Sequence, residues 1–296
     1  MKLSSLGRGA SFSEHASPFS RYITDLRFWT TPENSPFAAG TIAIVTGGSR
    51  GLGLELVHQL VLQKVKIIII DVIPPTARFS DSDRVLYYYC DITDYETVKS
   101  LQKLIKKEHG IVTMLFNNAG ITRIDSLQNT PDNEIKKIID VNFIAAYIMI
   151  NIFLPDMLEI GHGYIINIAS VLGEITPARL TSYGASKGGL IAVHKSLTKN
   201  LCKRKKGSGT IRTLLVCPGK INTSMFAKVK TPSKFLAPDI DPRKLAYHIV
   251  TAISCNMTST LRFPYYANIV PFFKQLNWPY IRALKKSSGM DRVTVV

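Results

Sequence analysis

From Gly40 onward the chain alternates between short, unbroken apolar runs and longer segments with helical spacing of apolar residues. The runs TIAIVT, VKIIII, RVLYYY, VTMLF, GYIINIA and TIRTLLV read as strands, and TSTLRF supplies a seventh. Strands this apolar are covered on both faces, because a face left in water would impose strict alternation. Helical periodicity fills the intervals: LELVHQLVLQ, Tyr95 to His109, and Tyr183 to about Lys203. Thr130 as cap with Pro131 behind it opens a long helical region toward Pro155, and Asp241 with Pro242 opens another helix. The alternation predicts an α/β fold: a doubly wound parallel sheet of about seven strands, with helices on both faces. Residues 1–39 read as a mostly flexible arm, 40–264 as one domain, and 265–296 as an aromatic and basic extension.

Composition narrows this picture. At 296 residues with 46% hydrophobic and 20% charged positions, the chain is an ordered globular protein able to bury a large core. The most apolar stretch, Val141 to Pro155, falls short of the roughly 18–20 residues of a membrane span and ends in proline. It therefore reads as a buried helix. The four cysteines, Cys90, Cys202, Cys217 and Cys255, are scattered, as are the six histidines, which argues against structural zinc. A net charge of +16 permits contact with anionic lipid, nucleic acid or a phosphorylated ligand. No RNA-binding or zinc-finger pattern accompanies it, which disfavours nucleic acid. The cluster Lys203 to Lys206 reads as a solvated turn, with a lipid- or nucleic-acid-binding patch as the alternative. The first forty residues lack a secretory apolar core; a mitochondrial presequence is the weaker reading beside a flexible arm, whose RYITDLRFW stretch could dock on the body.

Candidate chemistry gathers at the predicted strand ends. TGGSRGLG follows the first strand and places Gly47, Gly51 and Gly53 before a helix. That context lets backbone N–H groups approach a pyrophosphate at a helix N-terminus. Asp71, twenty positions after Gly51, can accept hydrogen bonds from ribose hydroxyls and would repel a 2′-phosphate. This favours NAD. Arg50 argues for NADP, since a guanidinium pairs with a 2′-phosphate. Further on, YGASK sets Tyr183 and Lys187 one helical turn apart among small residues. A tyrosine with its ordinary pKa near 10 is a poor base at neutral pH. A lysine ammonium at about 5 Å would lower it by roughly two units, toward working pH.

The motifs TGGSRGLG, CDITD, NNAG, VNF, NIAS, YGASK and PGKINT occur in the order and spacing of the short-chain dehydrogenase/reductase family, which the chain resembles from about Gly40 to Thr223. The resemblance implies a Rossmann fold and an NAD(P)-dependent oxidoreductase interconverting an alcohol and a carbonyl. It implies cofactor contacts from Gly47, Ser49, Arg50, Gly51, Leu52, Gly53 and Asp71. Asp91 and Ile92 would flank the adenine, Asn118, Ala119 and Gly120 would line the cofactor channel, and Ile221 and Thr223, after Pro218 and Gly219, would hold the carboxamide. Tyr183 becomes the acid/base and Lys187 its partner, with both also touching cofactor. Ser170 binds the substrate oxygen, and Asn142 holds a water in the proton relay. No metal is implied.

The substrate regions VLGEITPARL and MFAKVKTPSKFLAP carry little charge over their length, which suits a lipophilic alcohol or ketone. The aromatic tail from Phe263 is similar to those of membrane-associated retinol and 17β-hydroxysteroid dehydrogenase relatives. It suggests peripheral membrane contact at the cytosolic face of the endoplasmic reticulum or a lipid droplet, with a plain cytoplasmic location as the alternative. A homodimer is expected through the helix near Val141 and the helix after Tyr183. The competing readings are a catalytically idle dinucleotide-binding redox sensor and a membrane-surface-binding protein on the same fold.

Overall fold

The computed structural model describes residues 35–79, 81–203, 210–227, 238–273, 277 and 279–282. Residues 1–34, the run Arg204 to Lys206, most of MFAKVKTPSKFLAP and the residues past 282 lie outside this set. Within it, seven strands form one all-parallel sheet: β1 (Ile42–Thr46), β2 (Lys66–Asp71), β3 (Val85–Tyr89), β4 (Met114–Asn117), β5 (His162–Ile168), β6 (Thr210–Pro218) and β7 (Thr260–Phe263). Their order is β3-β2-β1-β4-β5-β6-β7. The order reverses between β1 and β4, which opens a crevice at their carboxyl ends. This is the doubly wound Rossmann architecture expected from the alternating pattern.

The helices are α1 (Gly51–Val61), α2 (Tyr95–Glu108), α3 (Asp132–Ile139), α4 (Ala145–Ile160), α5 (Thr181–Cys202), α6 (Pro242–Ser254) and the short α7 (Val270–Phe273). Leu52, Leu56, Val57 and Leu60 of α1 join Leu245, Ile249 and Ile253 of α6 over one face of the sheet. Val98, Leu101 and Ile105 of α2 and Met149 and Phe153 of α4 cover the other, where Leu190 and Ile191 of α5 continue the layer. Successive residues of β2, Ile67 to Ile70, are fully buried because alternate side chains feed the two layers. That is why the strand shows no polar alternation.

Two expectations need correction in the helical region after β4. Thr130 is not the cap: Pro131 occupies that position, with no side-chain cap, and the Thr130 hydroxyl donates back to Ser126 O. The helix also does not end at Pro155. A π-helical turn (Asp140–Ile144) joins α3 to α4, and Pro155 lies inside α4, which runs to Ile160 and closes on left-handed Gly161. The ring of Pro155 deprives the carbonyl of Asn151 of its helical donor, and both residues face solvent, which can satisfy a freed carbonyl. The continuous run Asp132–Ile160 is consequently long and apolar enough, by length and composition, to cross a membrane. Here its α4 portion packs Ala145, Met149, Ile150, Phe153 and Met157 into the core.

Candidate active site

The loop after β1 is shaped by close backbone approach. Gly47 and Gly51 adopt φ of +64° and +58°, in the left-handed region open to glycine. A Cβ on Gly53 would sit 2.1 Å from Gly47 O, so only glycine lets α1 begin this near the strand end. Ser49 and Leu52 are buried and Arg50 is exposed. The N-terminus of α1 has no capping side chain and no acidic residue in its first turn. By contrast, Asp94 caps α2, accepting from Glu96 N and Thr97 N. Ser49 Oγ is buried without a hydrogen bond. An open helix N-terminus beside an orphaned buried hydroxyl fits the phosphates of a dinucleotide.

Asp71 ends β2 and is buried. Its Oδ2 accepts from Ser49 N at 3.1 Å and its Oδ1 from Ile73 N at 3.2 Å, which ties the strand end to the glycine turn. Asp91 is exposed and accepts from Thr93 N and Oγ1, while Ile92 is buried beneath it. On the other side of the crevice, Asn118 Nδ2 donates to Thr46 O at 2.9 Å and Gly47 O at 3.2 Å. Thr46 Oγ1 accepts from both Asn118 N and Ala119 N. These bonds lock the turn after β4 onto the turn after β1, and Ala119 fills the space that any Gly47 side chain would need.

Asn142 sits in the π-helical turn and is buried. Its Oδ1 accepts from Ile121 N at 2.7 Å, and its Nδ2 donates to Ile121 O at 2.9 Å and Ser186 Oγ at 3.0 Å. The amide therefore clamps the segment after Gly120 to α5. A Cβ on Gly120 would lie 3.3 Å from Asn142 Oδ1 and 3.6 Å from Lys187 Nζ, so the channel residue and the relay residues share one small space.

Tyr183 and Lys187 occupy the first turns of α5, both buried. Ser170 stands close enough to the phenol to oppose its rise; its Oγ donates to Pro218 O at 3.4 Å, accepts from Leu172 N and caps a 3-10 turn. Lys187 Nζ donates to Ile168 O at 2.8 Å and lies 5.9 Å from the centre of the Tyr183 ring. Burial decides the resting charges. It pushes Tyr183 up to about 12, with Ser170 opposing, and Lys187 down to about 8. From the sequence, Lys187 is expected to lower the phenol by about two units, with the oxidised cofactor's pyridinium carrying it on toward working pH; in the protein by itself desolvation dominates, and the phenol rests above its ordinary value.

The last site segment follows β6. Gly219 N donates to Phe263 O at 2.9 Å, and a Cβ there would meet the Tyr266 hydroxyl at 2.0 Å. Ile221 bridges to Ile240, and Thr223 comes within reach of the glycine turn, its Cγ2 3.5 Å from where a Gly51 Cβ would sit. Phe226 falls in the substrate region MFAKVKTPSKFLAP, and its ring stands edge-on to Tyr183 at 5.6 Å. Leu172, Leu180 and Ile124 complete an apolar cluster around the phenol. The sequence places Phe226 in a substrate region but not against the phenol, because that contact joins segments distant along the chain.

Beneath the site runs a buried polar chain that spacing could not show. Asn117 Nδ2 donates to Asn167 Oδ1 at 2.8 Å, and Asn167 Nδ2 stands 3.1 Å from His194 Nδ1. Since the Asn167 carbonyl is taken, its amide donates and His194 accepts as a neutral ring. Burial holds His194 down to about 4, against 6.5 when exposed. The unfolded chain therefore binds a proton between these values that the folded chain excludes. Stability from this group is full above about pH 6.5 and lost as pH falls toward 4, by on the order of 3 kcal/mol. Urea denaturation should show a lower midpoint at about pH 5 than at pH 7, and His194→Gln should flatten that difference.

Fold and loop chemistry together define an oxidoreductase of the Rossmann class. A family model for short chain dehydrogenases matches residues 41–234, and the chain belongs to that family. It is 45% identical over 294 residues to the uncharacterized oxidoreductase YDL114W of Saccharomyces cerevisiae, covering 98% of this chain and 94% of the relative. It is 29% identical to retinol dehydrogenase 10-B of Danio rerio, over 89% of this chain and 86% of that one. With estradiol 17-beta-dehydrogenase 11 of Mus musculus it shares 30% identity over 75% of each chain. Among solved structures, a short-chain dehydrogenase from Streptomyces avermitilis superposes with a TM-score of 0.66 at 24% identity, covering 83% of this chain and 96% of the other. That likeness concerns the fold.

Proposed function

We propose that the chain interconverts a lipophilic alcohol and its carbonyl using NAD(H), with Tyr183 moving the proton. The observation that carries this reading is the setting of the phenol: Ser170 stands near enough to oppose its rise, and Leu172, Leu180, Ile124 and Phe226 pack on its apolar side. A retinol- or estradiol-like substrate would place its oxygen at the first and its hydrocarbon against the second. The names of the retinol and estradiol dehydrogenase relatives point the same way.

A bound nicotinamide cofactor supplies or accepts the hydride. The chain's own residues do the rest. The α1 N-terminus, Ser49 and the glycine turn hold the phosphates, Asp71 takes the ribose, and Ile221 and Thr223 hold the carboxamide end. Ser170 donates to the substrate oxygen, and Tyr183 gives or takes its proton. Lys187, fixed by Ile168 O, keeps a positive charge behind the phenol and opposes the rise that burial causes. Asn142 secures the helix and channel at fixed separation.

Asp71 supports NAD over NADP, because its buried carboxylate would face a 2′-phosphate with like charge. Asp71→Ala should lower the ratio of NADPH to NADH dissociation constants by ~10-fold or more, read by fluorescence titration. For the reaction itself, NADH formation over a panel of retinol, estradiol, long-chain and short-chain alcohols is the test. Activity confined to short polar alcohols would refute the lipophilic assignment.

Residues 40–264 are proposed as the catalytic domain, with an arm at 1–39 and an extension at 265–296. A homodimer through α4 and α5 would cover Ile144 and Tyr147, which are exposed on that layer. Tyr265, Ile269 and Phe272, spread over the 3-10 turn after β7 and the short α7, are large apolar side chains exposed to solvent, which supports peripheral membrane contact by the extension. That contact would place the protein on a cytosol-facing lipid surface.

A further inference from the structure

Glu174 and Arg262 form an ion pair that no motif announces. Glu174 Oε1 accepts from Arg262 Nη2 at 2.8 Å, with side chains 6% and 18% exposed. The contact is one-handed: Glu174 Oε2 and Arg262 Nε are buried without hydrogen bonds. Breaking the bond would leave two poorly solvated charges facing each other's empty place, and a lone buried charge is costly.

The pair's position gives it meaning. Glu174 directly follows the 3-10 turn Val171–Gly173 that Ser170 caps. Gly173 lies against the catalytic turn of α5, where a Cβ would stand 2.7 Å from Lys187 C and 2.8 Å from Gly188 N. Arg262 sits on β7 opposite Cys217 of β6, and the next residue, Phe263, accepts from Gly219 N. The end of β7 therefore grips two loops at once, the one after β5 through an ion pair and the one after β6 through the backbone. Val171 and Ile175 then pack on Ala267 and Val270 of the segment beyond β7.

We propose that Glu174 and Arg262 are positioning residues: their ion pair latches the Ser170 loop to β7 and so sets the distance between the Ser170 hydroxyl and the Tyr183 phenol. This rests on the function proposed above. The ion pair holds the loop after β5, whereas the glycine turn and Asp71 stand after β1 and at the end of β2, so breaking it lowers turnover far more than cofactor affinity.

The test compares Glu174→Gln, Arg262→Gln and Arg262→Lys with the wild type in the full chain. Should a single variant not fold, the double variant Glu174→Gln/Arg262→Gln, which leaves no buried charge unpaired, takes its place. With an alcohol that the wild type oxidises, kcat should fall roughly 10- to 100-fold in the two Gln variants, while KM for NAD and the NADH dissociation constant stay within about twofold. Arg262→Lys should recover a substantial part of kcat. Independently of activity, backbone amide exchange over residues 171–176 should accelerate, with β1 and α1 unchanged. Wild-type kcat and wild-type exchange in folded Gln variants would overturn the proposal, as would equal losses in kcat and NADH affinity. If the wild type binds no NADH and oxidises no alcohol, the functional reading fails, and the exchange measurement alone then decides the latch.

Discussion

Replacing Lys187 with methionine should make the protein more stable and inactive at once. Lys187 is buried, and its pKa is depressed from 10.5 to about 8, so at pH 7 the fold carries a charged ammonium that burial disfavours. That depression corresponds to about 3 kcal/mol of lost stability. Methionine keeps much of the stem's volume and removes the charge, but forfeits the hydrogen bond to Ile168 O, worth ~1 kcal/mol. The expected net is a gain of about 2 kcal/mol in unfolding free energy at pH 7. The sign fixes the pH dependence. The wild-type lysine loses its proton as pH rises above about 8, the penalty fades toward 10.5, and the advantage of the variant shrinks with it. Turnover should drop by ~10³-fold, since the phenol then has no positive charge behind it. Urea denaturation at two pH values, beside NADH formation, checks both halves. A destabilised variant at pH 7 would show that Lys187 is held by more than the site's chemistry requires.

The second large effect is expected at Tyr183. Tyr183→Phe removes one oxygen from a ring packed by Phe226, Leu172 and Leu180, and leaves the packing in place. Stability should change by no more than about 1 kcal/mol, the worth of at most one hydrogen bond. Turnover should nevertheless fall by ~10²–10⁴-fold, because the serine hydroxyl that remains is far too weak an acid to take over the proton transfer. NADH affinity should fall far less than turnover, since the glycine turn and Asp71, which would hold the other end of the dinucleotide, are untouched. This pattern separates an enzyme from a dinucleotide-binding sensor, for which the substitution would be silent.

Much of this arrangement is legible in the amino-acid sequence. The strands show because a doubly covered parallel sheet demands unbroken apolar runs, as Ile67 to Ile70 illustrate. The glycine turn shows because Gly47 and Gly53 answer to backbone clashes that no other residue survives. What stays hidden depends on contacts between distant segments. Asn142 is fixed by Ile121 and Ser186, and nothing local marks the π-helical turn that presents it. Pro155 reads as a stop, yet solvent on its face of α4 lets the helix continue. Glu174 finds its partner 88 residues away, on the edge strand. The charge states of Tyr183 and Lys187 are hidden as well, since spacing gives their proximity and says nothing of burial, which pulls both toward neutrality.

That last point locates the most direct test. Tyr183 starts near 12 in the protein alone, and bound NAD would bring a further positive charge, that of its pyridinium, which favours the phenolate. Tyrosinate absorbance should be followed against pH for wild type and Tyr183→Phe, with and without saturating NAD. One tyrosine in the wild type should titrate at distinctly lower pH when NAD is present, and that step should be missing from the Phe variant and from Lys187→Met. If NAD leaves the wild-type titration unmoved, Tyr183 is not the group that carries the proton.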